Sequence, residues 1–326
     1  MSEPIRWGIL GLGKIAQTFA SDLALVPDAQ LAAVASRDPE KARAFASEFG
    51  AKQAYGSYSE LLEDPEVDIV YIATPHTHHL PHSLMVMEAG KHVLCEKPMG
   101  ITLQEVQKQI DTARRKNVFY MEALWSRFNP ALRDAVGLAQ SGAIGHPVYL
   151  KADFAFPALD RDPSGRLLNP NLAGGSLLDI GIYPVFLAYW LLGLPDTFKV
   201  AAHFHSTGVE KHIGLLFEYP GATALLYSGL SSHSEMRAEI SCTRGTLTID
   251  PRWHETEGYT VIGEHPDHRV FPKRGKGYTH EVEEVHRCLR EGLLESPLWS
   301  HQDSLALHGL LQDIRREAGI RFPSEG

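Results

Sequence analysis

Along the first 120 residues, short and mostly apolar runs occupy positions 5–10, 31–36, 68–73, 92–95 and 118–121. Between them, at about 15–25, 39–49, 57–62, 79–89 and 103–116, apolar residues recur at helical spacing. Ser57 with Glu60, and Thr102 with Glu105, carry the three-residue spacing of a capping box and mark two helix starts. Strands separated by helices predict a parallel sheet, since each helix must pack back onto the sheet through a right-handed crossover. Beyond residue 145 the pattern changes. Strand-like runs at 147–154, 199–206, 213–219, 222–230, 237–243 and 246–250 follow one another, two pairs of them joined by turns at Tyr219-Pro220-Gly221-Ala222 and Thr243-Arg244-Gly245-Thr246. Consecutive strands with short turns predict an antiparallel sheet. Helical stretches at 278–291 and 301–318 close the chain. The expected division is therefore an α/β domain over 1–122 and an α+β domain over 123–326, the second built on an open, mainly antiparallel sheet.

Composition narrows the partners. A chain of 326 residues with 44% hydrophobic and 22% charged content is ordinary for a globular protein of two domains. A net charge of -9 without a long basic run argues against nucleic acid as partner. No apolar run is read as approaching the length of a bilayer span, so no membrane partner is expected. The start, Met1-Ser2-Glu3-Pro4, lacks the basic and extended apolar character of a signal peptide. Cys95, Cys242 and Cys288 are few and widely spaced, which together with that start leads to the expectation of a reduced, cytoplasmic enzyme.

The first strand runs into Gly11-Leu12-Gly13-Lys14-Ile15-Ala16 and then a helix. This is the G-x-G-x-x-A form of the dinucleotide fingerprint in its strand–turn–helix context, and it predicts a Rossmann domain. Gly11 serves the tight turn and Gly13 the approach of the pyrophosphate, with Lys14 and Ile15 opening the helix whose N–H groups meet the anion. At the end of the second strand stands Ala35-Ser36-Arg37-Asp38-Pro39. Asp38 before Pro39 reads as an N-cap, which leaves Ser36 and Arg37 for the 2′-phosphate and predicts NADP rather than NAD.

Two further segments carry candidate chemistry. Cys95-Glu96-Lys97-Pro98 follows a parallel strand, at the end of the sheet where ligands bind. Asp179 and Tyr183 are four residues apart and share a face if the segment is helical. From residue type alone, Tyr183 reads more readily as an aromatic packed at a helix start than as a reacting group.

In this order, 8–16, Glu96-Lys97-Pro98 and Leu178-Asp179-Ile180-Gly181-Ile182-Tyr183, joined by Met121-Glu122-Ala123-Leu124-Trp125-Ser126-Arg127-Phe128, resemble the Gfo/Idh/MocA oxidoreductase family nearly end to end. Many members carry His where Tyr183 stands, so the tyrosine narrows the subgroup; together with Tyr55-Gly56-Ser57-Tyr58 and Val93-Leu94-Cys95-Glu96-Lys97-Pro98, the resemblance implies a branch acting on cyclic diols or aldoses. The resemblance implies an NADP(H)-dependent oxidoreductase that moves hydride between nicotinamide and a hydroxyl-bearing carbon. It implies a catalytic set of Lys97, Tyr183 and Asp179. A free phenol titrates near ~10, and a neighbouring ammonium lowers that value, so Tyr183 serves as acid and base with Lys97 tuning it. Asp179 orients the substrate or the lysine. By position, Thr74, Pro75 and His76 line the cofactor path with His79 close by, while Glu96, Trp125 and Arg127 stand beside the nicotinamide. Trp125 offers a flat wall for the substrate or packs at the domain seam. Phe154, Phe156 and the stretch 159–171 contribute to the substrate pocket. A homodimer through the C-terminal sheet is a further implication.

The run His76, His78, His79 and His82 invites a metal, yet hydride transfer of this kind needs none, and none is expected. Cys95 reads as a packed strand residue, and Lys273-Arg274-Gly275-Lys276 as a solvated loop or, alternatively, a contact for a phosphorylated ligand. A reductase for another sugar or an inositol is a competing reading. A sensor that binds dinucleotide without catalysis would lack Lys97 or Tyr183, and both are present.

Overall fold

The computed structural model describes residues 3–323; Met1 and Ser2, part of the N-terminal segment read above, and residues 324–326 lie outside it. Compactness divides the chain differently from the contiguous split expected at 122/123. Among the described residues, one unit takes 3–128 together with 273–305, the other 129–272 together with 306–323.

The first unit opens with β1 (Ile5–Leu10), α1 (Lys14–Leu23), β2 (Ala29–Ala35), α2 (Pro39–Phe49), β3 (Gln53–Tyr55) and α3 (Tyr58–Glu63). It continues through β4 (Ile69–Ile72), α4 (His79–Glu88), β5 (His92–Glu96), α5 (Leu103–Lys116) and β6 (Tyr120–Ala123). Among the described residues these strands form one parallel sheet in the order β3-β2-β1-β4-β5-β6. α1 buries Ala16, Phe19, Ala20 and Leu23, the one-face spacing of an amphipathic helix. Phe19 stacks on Tyr71 of β4 at 3.7 Å, while Val70, Ile72, Val93 and Cys95 join α4 and α5 in a fully buried layer. Ser57 and Glu60 form the complete capping box. Thr102 also caps its helix, but Glu105 reaches the N–H of Ile101 instead. β3, only three residues long at the sheet edge, was too short to stand out in the apolar pattern.

The second unit holds α6 (Pro130–Gln140), β7 (Pro147–Ala155), α7 (Ile182–Leu192), β8 (Thr197–Phe204), β9 (Glu210–Tyr219) and β10 (Ala222–Gly229). β11 (Ala238–Cys242), β12 (Gly245–Ile249), β13 (Gly258–Gly263) and β14 (Asp267–Val270) complete its sheet, ordered β14-β13-β12-β11-β7-β10-β9-β8. All neighbours are antiparallel except β7 and β10, which run parallel. The stretch 170–192 corrects one expectation. It is long and apolar enough to match a membrane span, but 83% of its apolar 18-residue window is buried inside the protein, because α7 is the core helix packed on β7 and β10.

Residues 273–305 carry α8 (Thr279–Arg290) and the start of α9 (His301–Ala318). The loop 273–277 is not simply solvated, as its basic composition suggested. Its backbone wraps around Asp22 of α1, whose carboxylate accepts from the N–H groups of Lys276 and Tyr278 at 2.8–2.9 Å. This return segment is why the first unit is not contiguous in sequence.

Candidate active site

In the first unit the predicted residues follow β1, β2, β4 and β5, adjacent parallel strands, and so gather at one end of the sheet. A Cβ at Gly11 would lie 2.7 Å from Cγ2 and 3.0 Å from the backbone N of Thr74, so β1 can pass β4 here only as glycine. Gly13 differs. A Cβ there meets nothing within 4 Å, so packing within the chain does not demand glycine, and the space before α1 stays open. α1 begins at Lys14 and Ile15 without a side-chain cap or an acidic first turn, and Ala16 is fully buried against the sheet. An open approach to uncapped helix N–H groups fits a dinucleotide pyrophosphate.

At the end of β2 the Asp38 carboxylate accepts from the N–H groups of Glu40 and Lys41 at 3.0 and 3.3 Å, with Pro39 opening α2. Asp38 is thus occupied as the cap. The Ser36 hydroxyl accepts from the Asp38 N–H at 3.1 Å, and Arg37 is exposed. Tyr58, and His82, which the sequence marked only as part of a histidine run, stand within reach of the Arg37 charge. His82 meets the edge of the Tyr58 ring at 4.9 Å and the Thr74 hydroxyl at 3.0 Å. Burial, with the charges of His78, His79 and Arg37 nearby, lowers His82 to about 4 and keeps it neutral.

The turn that carries Lys97 is braced on several sides. Tyr71 donates its phenol proton to Glu96. His79 is fully buried, one ring nitrogen 2.7 Å from the Pro98 carbonyl and the other 2.8 Å from that of Thr74. A neutral imidazole can donate to only one of the two at a time. His79 is therefore a brace between the ends of β4 and β5, with its ring nitrogens engaged by the backbone. Met99 N–H donates to Glu122 at 2.8 Å, and the Gln109 amide donates to the Met99 carbonyl at 2.9 Å. Lys97 itself is half-buried. Nearby on α8, Glu281 is fully buried, and burial together with Glu96 and Asp22 raises its carboxyl toward the neutral acid. His76 is buried with its ring edge-on to His79 at 5.8 Å, after Pro75. Trp125 stacks on Tyr278 at 4.8 Å, where a Cβ on Gly277 would collide with the indole; Arg127 is half-buried in the same turn. Among the described residues no group of three or more His, Cys, Asp or Glu is arranged to hold a metal ion.

In the second unit, Asp179 lies in a wide π-helical turn, Leu177–Gly181, and Tyr183 in the first turn of α7. Their relation is therefore not the plain four-residue spacing of an α-helix. Tyr183 and Phe154 are both buried, with rings 5.5 Å apart. His254 completes this wall, stacked on Phe154 at 4.1 Å and 5.5 Å from Tyr183. Phe156 follows at 6.3 Å. Asp179 is buried and takes an ion pair from Arg166 at 2.5 Å, which gives the stretch 159–171 a role in the site. His254 and Arg166 were missed because nothing in their local sequence marks them; only tertiary packing brings them to Tyr183 and Asp179.

Comparison with known proteins agrees with this arrangement. Residues 5–124 match the model of an oxidoreductase family with an NAD-binding Rossmann fold, and 132–248 match the GFO/IDH/MocA C-terminal domain. The chain is 38% identical to trans-1,2-dihydrobenzene-1,2-diol dehydrogenase of Mus musculus, over 98% of this chain and 99% of that one. Aldose-aldose oxidoreductase from Caulobacter crescentus, solved with glycerol, superposes with a TM-score of 0.88 at 29% identity, covering 97% of this chain and 98% of that one. The 3-ketoreductase KijD10 from Actinomadura kijaniata, solved with NADP and TDP-benzene, gives 0.87 at 26% identity with the same coverage. With its Rossmann sheet, its second antiparallel sheet and these end-to-end likenesses, the chain belongs to the Gfo/Idh/MocA family and is a nicotinamide-dinucleotide oxidoreductase.

Proposed function

We propose that this oxidoreductase uses NADP(H) and acts on a hydroxyl-bearing carbon of a cyclic trans-diol or an aldose, of the trans-dihydrodiol or D-xylose type. The observation that carries the substrate class is the ring cluster of the second unit. Tyr183 stands 5.5 Å from the rings of both Phe154 and His254 and is tilted to them, an aromatic cluster suited to a cyclic substrate, with Asp179 one turn before it. Its likeness to a dihydrodiol dehydrogenase, 38% identical over nearly the full length, supports the same class. For the cofactor, the support is that Asp38 is held as the α2 cap, leaving Ser36 and Arg37 at the end of β2 for a 2′-phosphate.

The nicotinamide, when bound, exchanges the hydride. The chain's own residues handle the proton and the oxygen. Tyr183 takes the hydroxyl proton in oxidation and returns it in reduction; the Lys97 ammonium binds the reacting oxygen and favours the phenolate. Asp179, paired with Arg166, orients the substrate hydroxyls. We also propose a homodimer through the open face of the second sheet. Leu225 and Ile262 are 44% and 55% exposed there, and Lys151 and Asp153 beside Leu225 allow opposite charges to meet across a two-fold axis. The reduced, cytoplasmic setting expected above remains part of this proposal, with all three cysteines free and buried.

Absorbance of the reduced nicotinamide, followed with NADP and NAD against cyclic trans-diols, aldoses and inositols, tests the reading. Turnover of a diol or aldose with NADP preferred supports it. Turnover of inositols alone, or a preference for NAD, contradicts it.

A further inference from the structure

One buried carboxylate outside the residues so far assigned bears directly on the segment that carries Asp179 and Tyr183. Glu210, the first residue of β9, is 1% exposed. Its Oε1 accepts from the Leu177 N–H at 2.7 Å, at the first residue of the π-helical turn. The Ser176 N–H also faces the carboxylate. Gly175, immediately before, has φ +121, and a Cβ there would fall 2.3–2.5 Å from the Glu210 carboxylate atoms. The backbone at 175–177 thus lies directly on this one side chain, and glycine at 175 is what lets it do so.

The neighbours of Glu210 explain why it can hold the turn firmly. Arg315 of α9, 3% exposed, is the charged group whose field acts on it. From β10, the Ser228 hydroxyl donates to that of Ser176 at 3.1 Å. Within the turn itself, Arg166 holds Asp179. The segment is gripped at two points, by Glu210 on the backbone where the turn begins and by Arg166 on the Asp179 side chain within it.

We propose that Glu210 is a positioning residue for the reaction: its carboxylate anchors the start of the Leu177–Gly181 turn and so fixes where Asp179 and Tyr183 present their reactive groups. This rests on the proposed roles of Tyr183 and Asp179. Burial raises the Glu210 carboxyl to about 7, against the lowering by the backbone N–H groups and Arg315. The anchor therefore changes charge in the neutral range. The ionised form, as the stronger acceptor of the Leu177 N–H, is the one that holds the turn best.

The test compares wild type with Tyr183→Phe, Glu210→Ala and Glu210→Gln, measuring kcat from pH 5.5 to 9, NADPH affinity by fluorescence, and thermal melting. Glu210→Ala is expected to lower kcat about tenfold to a hundredfold, the scale on which small misplacements of reacting groups act, while NADPH affinity stays within about twofold. Glu210→Gln, which keeps an acceptor for Leu177, is expected to restore kcat to within about threefold of wild type at pH 8. It should also lose a rise of kcat with pH, centred near 7, that wild type shows. Wild-type kcat in a folded Glu210→Ala protein, or the same rise persisting in Glu210→Gln, overturns the proposal; the glutamine profile decides if the alanine variant does not fold. Full activity in Tyr183→Phe overturns the underlying reading of Tyr183 instead, so the two failures are distinguishable.

Discussion

Asp22 in the first unit and Glu210 in the second are both buried carboxylates with a glycine-bearing segment folded onto them, and the difference between them separates structure from function. At Asp22, both oxygens accept backbone N–H groups, two bonds from Lys276 and one from Tyr278, and a Cβ on Gly275 would overlap the carboxylate. At Glu210, Oε1 holds Leu177, whereas Oε2 has no hydrogen-bond partner among the described residues. Asp22 secures a loop that carries no reacting group. Glu210 secures the turn that leads to Tyr183, and its incomplete hydrogen bonding together with burial leaves it able to take up a proton near neutrality. A fully bonded carboxylate makes a fixed joint; a half-bonded one makes a joint whose strength depends on pH.

The largest expected effect sets the ceiling for this comparison. Tyr183→Phe should lower kcat by about a hundredfold to ten-thousandfold, the usual range for a lost general acid or base, while leaving NADPH affinity nearly unchanged. Steady-state kinetics beside cofactor titration measure both. Next comes Asp22→Ala, which strands buried N–H donors. It should cost about 3 kcal/mol of stability in denaturant titration, while kcat of the folded protein stays within about threefold. A kcat loss at Asp22 as large as that at Glu210 would erase the distinction.

A pH series of unfolding free energies sharpens the contrast further. Because the Glu210 carboxyl is raised from 4.5 to about 7 in the folded state, its stabilising contribution is fully present below about 4.5 and is lost as pH rises through 7. Over that window wild type should lose roughly 3 kcal/mol relative to Glu210→Gln, with no further difference above it. The smallest effects are expected from the paired glycines. Gly175→Ala should lower kcat about tenfold by pushing the Glu210 carboxylate aside. Gly275→Ala should cost about 2 kcal/mol of stability and little kcat.

How much of this was legible in the sequence follows from how local each signal is. The G-x-G-x-x-A turn, the Asp38-Pro39 cap and the capping box at Ser57 depend on neighbours within a few residues, and the structure forms each as read. The Rossmann sheet and the mainly antiparallel second sheet were legible from alternating or consecutive strand patterns. The short edge strand β3, the parallel pairing of β7 with β10, and the return of 273–305 to the first unit were not, because each is decided by long-range packing. The site divides in the same way. Lys97 and Tyr183 stand in recognisable segments, whereas Glu122, His254, Arg166 and Glu210 act across roughly 13 to 100 residues of sequence, distances over which no spacing rule operates. The stretch 170–192 shows the converse error. Its composition alone matches a membrane helix, and only burial reveals a core helix.

The central claim is an NADP(H)-linked dehydrogenase of a cyclic diol or aldose, and it is tested most directly by kcat/KM for NADP and for NAD measured with the same trans-diol or aldose substrate. The account predicts turnover with NADP preferred by at least about tenfold, the difference of one charge-assisted contact to the 2′-phosphate. Equal or greater kcat/KM with NAD, or no turnover of any diol or aldose while NADPH binds tightly, would contradict it.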